Sequence, residues 1–128
     1  MAGRSQAQHN AKLCKLLLEN GQFNDWVITS SFYSSLHFAE SHLFPITVGG
    51  ETFPNFDVYY NKKIRNTISK HKARRELIAT QLSSCSSSYN WLQDNCFHAR
   101  YNNYLVSPDF AKKAKEKLDQ IISICDKE

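Results

Sequence analysis

The chain has 128 residues, a length that favours one domain around a single hydrophobic core over two separate cores. Hydrophobic residues make up 41% and charged residues 22%, with only 4 glycines and 3 prolines, a composition that favours a helical globular protein and argues against disorder. The net charge of +4 favours an anionic partner without requiring one, because an ordinary solvated basic surface gives the same balance.

The N-terminal residues and the spacing of the cysteines bear on where the protein is located and on whether its thiols are reduced. The first residues, Met1 to Gln6, include polar side chains where a secretory signal needs an apolar run, and no stretch approaches the ~20 apolar residues that cross a bilayer. The four cysteines, at positions 14, 85, 96 and 125, lack the close paired spacing of a zinc site or a redox pair. We therefore expect a cytoplasmic protein with no membrane partner, no metal and no cofactor, and with buried free thiols.

Two amphipathic helices are predicted in the first third of the chain. The first runs from Gln6 to Asn20. Leu13, Leu16 and Leu17 lie on one face of it. The second runs from Phe23 to Phe44, with Asn24 or Asp25 as its cap and Pro45 as its end. Its apolar residues, at intervals of three and four, are Ile28, Phe32, Leu36, Ala39 and Leu43. This wide apolar face predicts a central helix.

No sustained period runs from Pro45 to about Asn61, where Gly49-Gly50 and Pro54 interrupt the pattern. We expect an ordered loop between helices 2 and 3, and a loop this long in a small bundle is more often functional than decorative. Its aromatic residues either fill one end of the core or shape a pocket for a nucleotide or another small molecule. They are Phe53, Phe56, Tyr59 and Tyr60.

One heptad-like phase runs from Ile64 to Cys96, which predicts one long helix or two nearly collinear ones. The segment Ser83 to Ser88 favours a kink or break, because serine hydroxyls can bond the backbone. Ser107-Pro108-Asp109 predicts the start of a last helix, with the serine as cap and the proline in the first position. Residues 1–128 are thus predicted to form one all-α domain, an antiparallel four- to five-helix up-and-down bundle with one long loop between helices 2 and 3.

The heptad phase places His71 and Arg75, one helical turn apart, at core-type positions. Polar groups on a buried face need partners. Either both lie at the edge of the bundle, with the arginine paired to a carboxylate such as Glu40 or Glu76, or they face an anion-binding groove in which His71 transfers a proton. Basic residues cluster around them and favour a nucleic acid as the anion. They are Lys62, Lys63, Arg65, Lys70, Lys72, Arg74 and Arg75.

A second group of candidate residues lies near the end of the long helical region. It comprises Asp94, His98, Arg100, Tyr101, Asn102, Asn103 and Tyr104. The spacing of four lets the Asp94 carboxylate orient the His98 imidazole. RNA cleavage by 2′-hydroxyl attack needs a base, an acid and a cation but no metal, and His98 with Arg100 offers these groups. The alternative is a helix end at which cations meet the negative dipole. His37 and His42 have no supporting pattern and are expected to be partly exposed polar residues.

Three segments resemble a subgroup of the HEPN family. The stretch from Asp25 to Glu40 resembles its second-helix signature, with small residues, a tyrosine and a Leu-His followed by an acid. His71-Lys72-Ala73-Arg74-Arg75 resembles the His and Arg pair that opens its next long helix. Ala99-Arg100-Tyr101 resembles its Ala-Arg-Tyr ending. The resemblance spans roughly residues 10 to 125 and rests mainly on the order of these segments.

The resemblance implies a helical bundle that usually forms dimers, in toxin-antitoxin, phage-defence or CRISPR-associated systems, with metal-independent RNA cleavage in active members. Active members resemble one another in an arginine followed, four to six residues beyond, by a histidine. No histidine follows Arg100 at this spacing, so the resemblance implies that Tyr104 takes the place of the histidine or that the His98 side chain reaches the same site. Arg65 and His71 have the spacing, but they lie earlier in the chain than the family motif.

The sequence therefore predicts an RNA-associated protein, with an endoribonuclease as its active form and a homodimer as its assembly. The predicted catalytic residues are Arg100, His98, Tyr104 and His71. The predicted RNA contacts are Arg65, Lys72, Arg74, Arg75 and Asn102. The alternative function is a catalytically inactive HEPN-like module that dimerises or pairs with a protein from a neighbouring gene.

Overall fold

Most of the chain is helical in the computed structural model, which describes residues 2–126. The helices of this region are α1 (Ala2–Asn20), α2 (Asn24–Leu43), α3 (Phe56–Tyr59), α4 (Lys70–Gln81), α5 (Ser83–Tyr101) and α6 (Pro108–Cys125). An antiparallel pair of strands, β1 (Ile46–Val48) and β2 (Glu51–Phe53), precedes α3, and a π-helical turn, Tyr60–Ile64, follows it. The broad all-α prediction is confirmed, whereas the predicted count of four to five helices and the single long loop differ from the structure.

Helix α2 is central, as its wide apolar face predicts, and packs against α1, α5 and α6. Three of its serines are completely buried: Ser35 donates to the Ser31 carbonyl oxygen within α2, and the other two find partners on α1. The Ser34 hydroxyl donates to the Ala7 carbonyl oxygen at 2.8 Å, and the Ser31 hydroxyl lies 3.0 Å from the Cys14 sulfur. These contacts satisfy the buried hydroxyls, which would otherwise destabilise the core.

The face of α1 that meets the core differs from the predicted one. Ala7 and Cys14 are completely buried against α2, whereas Leu13 and Leu16 are 42% and 61% exposed. The small side chains let the two helices approach closely, since only short groups stand between their backbones. Of the three predicted leucines, only Leu17 packs partly buried against the core.

The long helical region is broken at Leu82, whose φ of −146° and ψ of 49° are not helical. The predicted break is thus confirmed, but the predicted collinear arrangement is wrong: α4 and α5 fold back on each other, which brings Arg75 to Asp94 and His71 to Phe97. In α4 the buried residues are Ala73, Arg74, Leu77 and Ile78. The predicted phase is confirmed at its later positions, which are buried: Ile78, Leu82, Cys85, Tyr89, Leu92 and Cys96. His71 and Arg75, which the same phase placed on the core face, are only partly buried and lie at its edge.

Residues 45–61, predicted as an ordered loop, contain β1, β2, α3 and the start of the π-helical turn. Gly49 and Gly50 form the turn between the strands with φ of 60° and 80°, a conformation that glycine adopts without strain. Asn55 caps α3 by accepting a hydrogen bond from the Val58 amide at 2.9 Å. The predicted aromatic plug is observed beneath α4. It consists of Phe44, Phe53, Phe56, Tyr60, Ala73 and Leu77. Three-residue strands carry too few alternations to reveal themselves in the sequence.

The last helix begins as the sequence predicts. The Ser107 hydroxyl accepts a hydrogen bond from the Phe110 amide at 3.2 Å, and Pro108 occupies the first turn. The buried stripe of α6 contacts α2 and α5. It consists of Ala111, Ala114, Leu118, Ile121 and Cys125. In the described part of the chain, none of the helices combines the length and the apolar character needed to cross a membrane.

Candidate functional site

Arg100 projects from the last turn of α5 and is exposed. Its Nη1 donates a hydrogen bond to the Tyr33 hydroxyl of α2 at 3.0 Å, and its guanidinium lies 5.5 Å from the centre of the Tyr101 ring. No carboxylate of residues 2–126 pairs with it. A guanidinium that is oriented by a hydroxyl but not neutralised keeps several donors free for an anion.

This arginine lines a groove of about 270 Å³ between α1, α2 and the end of α5, which we call the α1–α2–α5 groove. Its lining residues are Gln6, Asn10, Leu13, Trp26, Thr29, Ser30, Tyr33, His37 and Arg100. The groove thus combines a cation, an imidazole, two aromatic rings and two primary amides.

His37 brings an imidazole into the same groove. It follows Tyr33 by one helical turn, so that both side chains project from the same face of α2. Burial lowers the pKa of His37 below its ordinary value of 6.5, and the nearby positive charge of Arg74 lowers it further, against the opposing effect of Glu40. The imidazole is therefore neutral at physiological pH and able to accept a proton.

His71 supplies a second neutral imidazole, on α4. Its ring lies edge-on to Phe97 of α5 at 5.2 Å and 6.4 Å from the ring of Phe32. Burial lowers the pKa of His71, and the charge of Arg74 lowers it further. The Nδ1 atom is buried without a hydrogen-bond partner in residues 2–126. The ring thus packs as an aromatic side chain between α2 and α5.

Arg74 connects the site to the aromatic cluster. Only 11% of its side chain is exposed; its Nε donates to the Glu40 carboxylate at 2.6 Å, and its guanidinium lies 4.4 Å from the Phe56 ring. The geometry favours a structural role over the predicted contact with RNA, because the cationic group is bound inside the protein. Glu40, which the sequence suggested as a partner of Arg75, is paired with Arg74 instead. Arg75 donates a hydrogen bond to the Asp94 carboxylate at 2.7 Å.

The predicted group at the end of α5 is divided among different surfaces. His98 precedes Arg100 by two residues, which places it on the opposite side of the helix, where its Nδ1 lies 3.3 Å from the amide nitrogen of Asn102. Asp94 pairs with Arg75 and not with His98, the predicted partner. Tyr104 lies in the segment before α6 and lines a separate hollow of about 400 Å³. Of the predicted catalytic residues, only Arg100 lines the α1–α2–α5 groove.

The remaining predicted RNA contacts lie near the start of α4. Lys72 is exposed on its first turn. Arg65 is exposed in a left-handed conformation with φ of 55° between the π-helical turn and α4. Neither has a carboxylate partner among the residues that the structure describes. Both remain available to a polyanion.

Sequence reasoning missed Trp26, Tyr33 and His37 as members of the site. A signal for them exists, because Trp26, Ser30, Tyr33 and His37 follow one another at intervals of four, three and four, a single stripe along a helix. The stripe continues to Glu40, the partner of Arg74. Two aromatic residues, a histidine and an acid on one face mark a polar groove rather than a buried core.

Compared with known proteins, the chain matches no family model, no curated protein and no solved structure. Membership of the HEPN family therefore stays a proposal. Within the described residues, no three His, Cys, Asp or Glu side chains converge in a way that could hold a metal ion.

A change of pH tests the environment of His71. Since its pKa is lower in the folded than in the unfolded state, protons bind the unfolded chain more readily, and the free energy of unfolding is expected to fall as the pH drops below 6.5. In His71→Phe, which keeps the ring and cannot be protonated, this loss should be smaller. Urea denaturation from about pH 7 to about pH 5 measures it.

The exposed His9 of α1 provides the matched control: His9→Asn should leave the pH dependence of stability as in the wild type. Part of the loss remains in His71→Phe, because the pKa of His37 is also lowered. An identical pH slope in the wild type and His71→Phe would contradict the buried, neutral state of His71.

Proposed function

We propose that this protein is an RNA-directed, HEPN-like protein of a cytoplasmic defence or toxin-antitoxin system, whose active form is a metal-independent endoribonuclease. The observation that carries the proposal is the unneutralised guanidinium of Arg100 in the same groove as the neutral imidazole of His37. Phosphodiester transfer requires a cation that stabilises the developing charge and groups that accept and return a proton, and the groove contains one cation and one imidazole able to do both.

The three segments that resemble the HEPN subgroup support the proposal, because they meet in space. Tyr33 of the first segment is hydrogen-bonded to Arg100 of the third. Glu40 of the first is paired with Arg74 of the second. Sequence positions 25–40, 71–75 and 99–101 thus contribute to one region around α2, which is the arrangement expected if the segments serve a common site.

In the proposed reaction His37 accepts the proton of the ribose 2′-hydroxyl, and the 2′-oxygen forms a bond to the adjacent phosphorus. The bond from phosphorus to the 5′-oxygen breaks, and the protonated imidazole returns its proton to that oxygen. The products are a 2′,3′-cyclic phosphate and a 5′-hydroxyl. Arg100 stabilises the negative charge that develops on the phosphoryl oxygens. His71 acts as a positioning residue, through the packing of its ring on Phe97 one turn before Arg100.

A basic surface on the π-helical turn and the start of α4 supports an extended polyanion as the ligand. Its exposed cations without carboxylate partners in residues 2–126 are Lys62, Lys63, Arg65 and Lys72. Contacts of this kind bind phosphates without reading sequence, and their number sets the salt dependence of affinity. All four cysteines are buried and unpaired, which fits the reducing compartment of the proposal.

Incubation of the purified protein with cellular RNA in the presence of a chelator tests the proposal. We expect cleavage that leaves 2′,3′-cyclic phosphate ends and that fails at a site with a 2′-deoxy sugar. RNA binding should weaken steeply with salt. The absence of both cleavage and low-salt RNA binding would refute the proposal.

A second candidate function is an interaction module without catalysis, which pairs with its own copy or with a protein from a neighbouring gene. The observation that favours it is an apolar patch around the turn between α1 and α2, formed by exposed Leu13, Leu16, Phe23 and Trp26. Large apolar side chains that cluster on a surface often mark a contact with another protein.

The patch predicts a homodimer that sedimentation velocity detects at micromolar concentration. Leu16→Glu, which places a charge at the most exposed leucine of the patch, should shift the protein to monomer. Lys117→Glu on α6 is the matched control and should leave the dimer intact. A wild-type protein that sediments as a monomer would contradict self-association through this surface.

A further inference from the structure

Resting on the proposed function, we infer that the α1–α2–α5 groove is a binding site for one unpaired nucleotide, with the base stacked on Trp26 and a phosphate on Arg100. The protein then selects single-stranded over double-stranded RNA. The inference depends on the co-location in one groove of an exposed indole, two amides without partners and an unneutralised guanidinium.

The indole of Trp26 provides a stacking surface. Trp26 lies in the first turn of α2, lines the groove and is 52% exposed, although tryptophan is generally among the more buried residues. Leu13 of α1 faces the same groove and is also exposed. An aromatic ring beside an aliphatic side chain fits the flat, apolar faces of a nucleobase, and such stacking tolerates any base.

Two amide side chains of α1 provide the polar contacts. Gln6 and Asn10 are one helical turn apart and both line the groove. Neither side chain has a hydrogen-bond partner among residues 2–126, although both carry donors and an acceptor. Primary amides pair with the edges of nucleobases, which present donors and acceptors side by side.

The charge and the size of the groove limit the ligand. Arg100 lies on the α5 side and offers free donors to a phosphate. A volume of about 270 Å³ lies just below the usual range of about 300–1,000 Å³ for small-molecule sites, and so fits one nucleotide rather than a longer stack. A base inside a duplex has its faces covered by neighbouring bases and cannot stack on Trp26, and therefore an unpaired strand is the expected ligand.

Binding of a fluorescein-labelled, single-stranded RNA with 2′-fluoro sugars tests the inference, since this strand cannot be cleaved through a 2′-oxygen. Trp26→Ala should bind about 10-fold more weakly, and Trp26→Phe should recover most of the affinity. Phe110→Ala, a similarly exposed aromatic position on α6, is the control and should bind like the wild type. Annealing the complementary strand should weaken binding to a comparable extent.

A second readout follows Trp26 directly. The chain has 2 tryptophans, so that Trp91→Phe leaves Trp26 as the sole indole, and its fluorescence should be quenched by the same oligonucleotide and by adenosine monophosphate. Circular dichroism confirms that each variant is folded.

The outcomes separate the inference from the proposed function. Weaker binding in Arg100→Ala but unchanged binding in Trp26→Ala overturns the nucleotide site and leaves the RNA function standing. Equal affinity for the single strand and the duplex also overturns it. Failure of the wild type to bind or cleave any RNA at low salt overturns both.

Discussion

In the proposed endoribonuclease, Arg100→Ala is expected to lower the rate of RNA cleavage by about 100- to 1,000-fold, the usual effect of removing one donor that stabilises a developing oxyanion. The free energy of unfolding should change by less than about 0.5 kcal/mol, because Arg100 is exposed and its partner, the Tyr33 hydroxyl, can turn to water. Single-turnover cleavage of a defined RNA, together with urea denaturation, measures both quantities.

Arg100→Lys and a distant charge variant sharpen this test. Lysine keeps the charge but loses the planar set of donors, and so should restore only part of the rate. Lys112→Ala on α6 removes the same charge from an exposed position away from the groove and should leave the rate within about twofold of the wild type. A loss of similar size in Lys112→Ala and Arg100→Ala would show that bulk charge, and not this site, determines activity.

Glu40→Ala is expected to lower the free energy of unfolding by about 3 kcal/mol, because it leaves the Arg74 guanidinium buried without its counter-charge. The side chains of Arg74 and Glu40 are 11% and 26% exposed, and their nitrogen and oxygen atoms are 2.6 Å apart. Denaturation by urea at neutral pH measures the change.

Two further variants test whether the burial of the Arg74 charge causes the loss of stability in Glu40→Ala. The double variant Glu40→Met with Arg74→Met should recover most of the stability, since apolar side chains of similar length replace both charges. Asp94→Ala breaks the more exposed ion pair with Arg75 and should reduce stability by less than about 1 kcal/mol. An equal loss in Asp94→Ala and Glu40→Ala would contradict the argument from burial.

Local patterns located the long helices correctly. Ser107 and Pro108 mark the start of α6 by short-range hydrogen bonding and fixed backbone geometry, which act the same way in any fold. The break at Leu82 lies directly before the serine-rich segment, which forms the first turns of α5. By contrast, the sheet of β1 and β2 escaped prediction, because its strands are too short for an alternating pattern and depend on packing beneath α4.

The sequence predicted one residue of the candidate groove, Arg100, but not the residues that surround it. Arg100 was singled out from its own segment, but His98 and Tyr104, its neighbours in sequence, point to other surfaces. Its neighbours in space, Tyr33 and His37, lie more than sixty residues earlier. Proximity in sequence was a poor guide, because side chains two residues apart on a helix project in nearly opposite directions.

The sequence by itself determined the helical class, the central position of α2 and the presence of unneutralised cations, since these depend on composition, periodicity and local capping. Only the tertiary structure decided which cations stay free. Arg74 is neutralised by Glu40 and Arg75 by Asp94, whereas Arg100 receives a hydroxyl in place of a carboxylate. The physical reason is that the packing of all the helices sets the rotation of each helix about its axis. This rotation determines which charged side chains come close enough to pair.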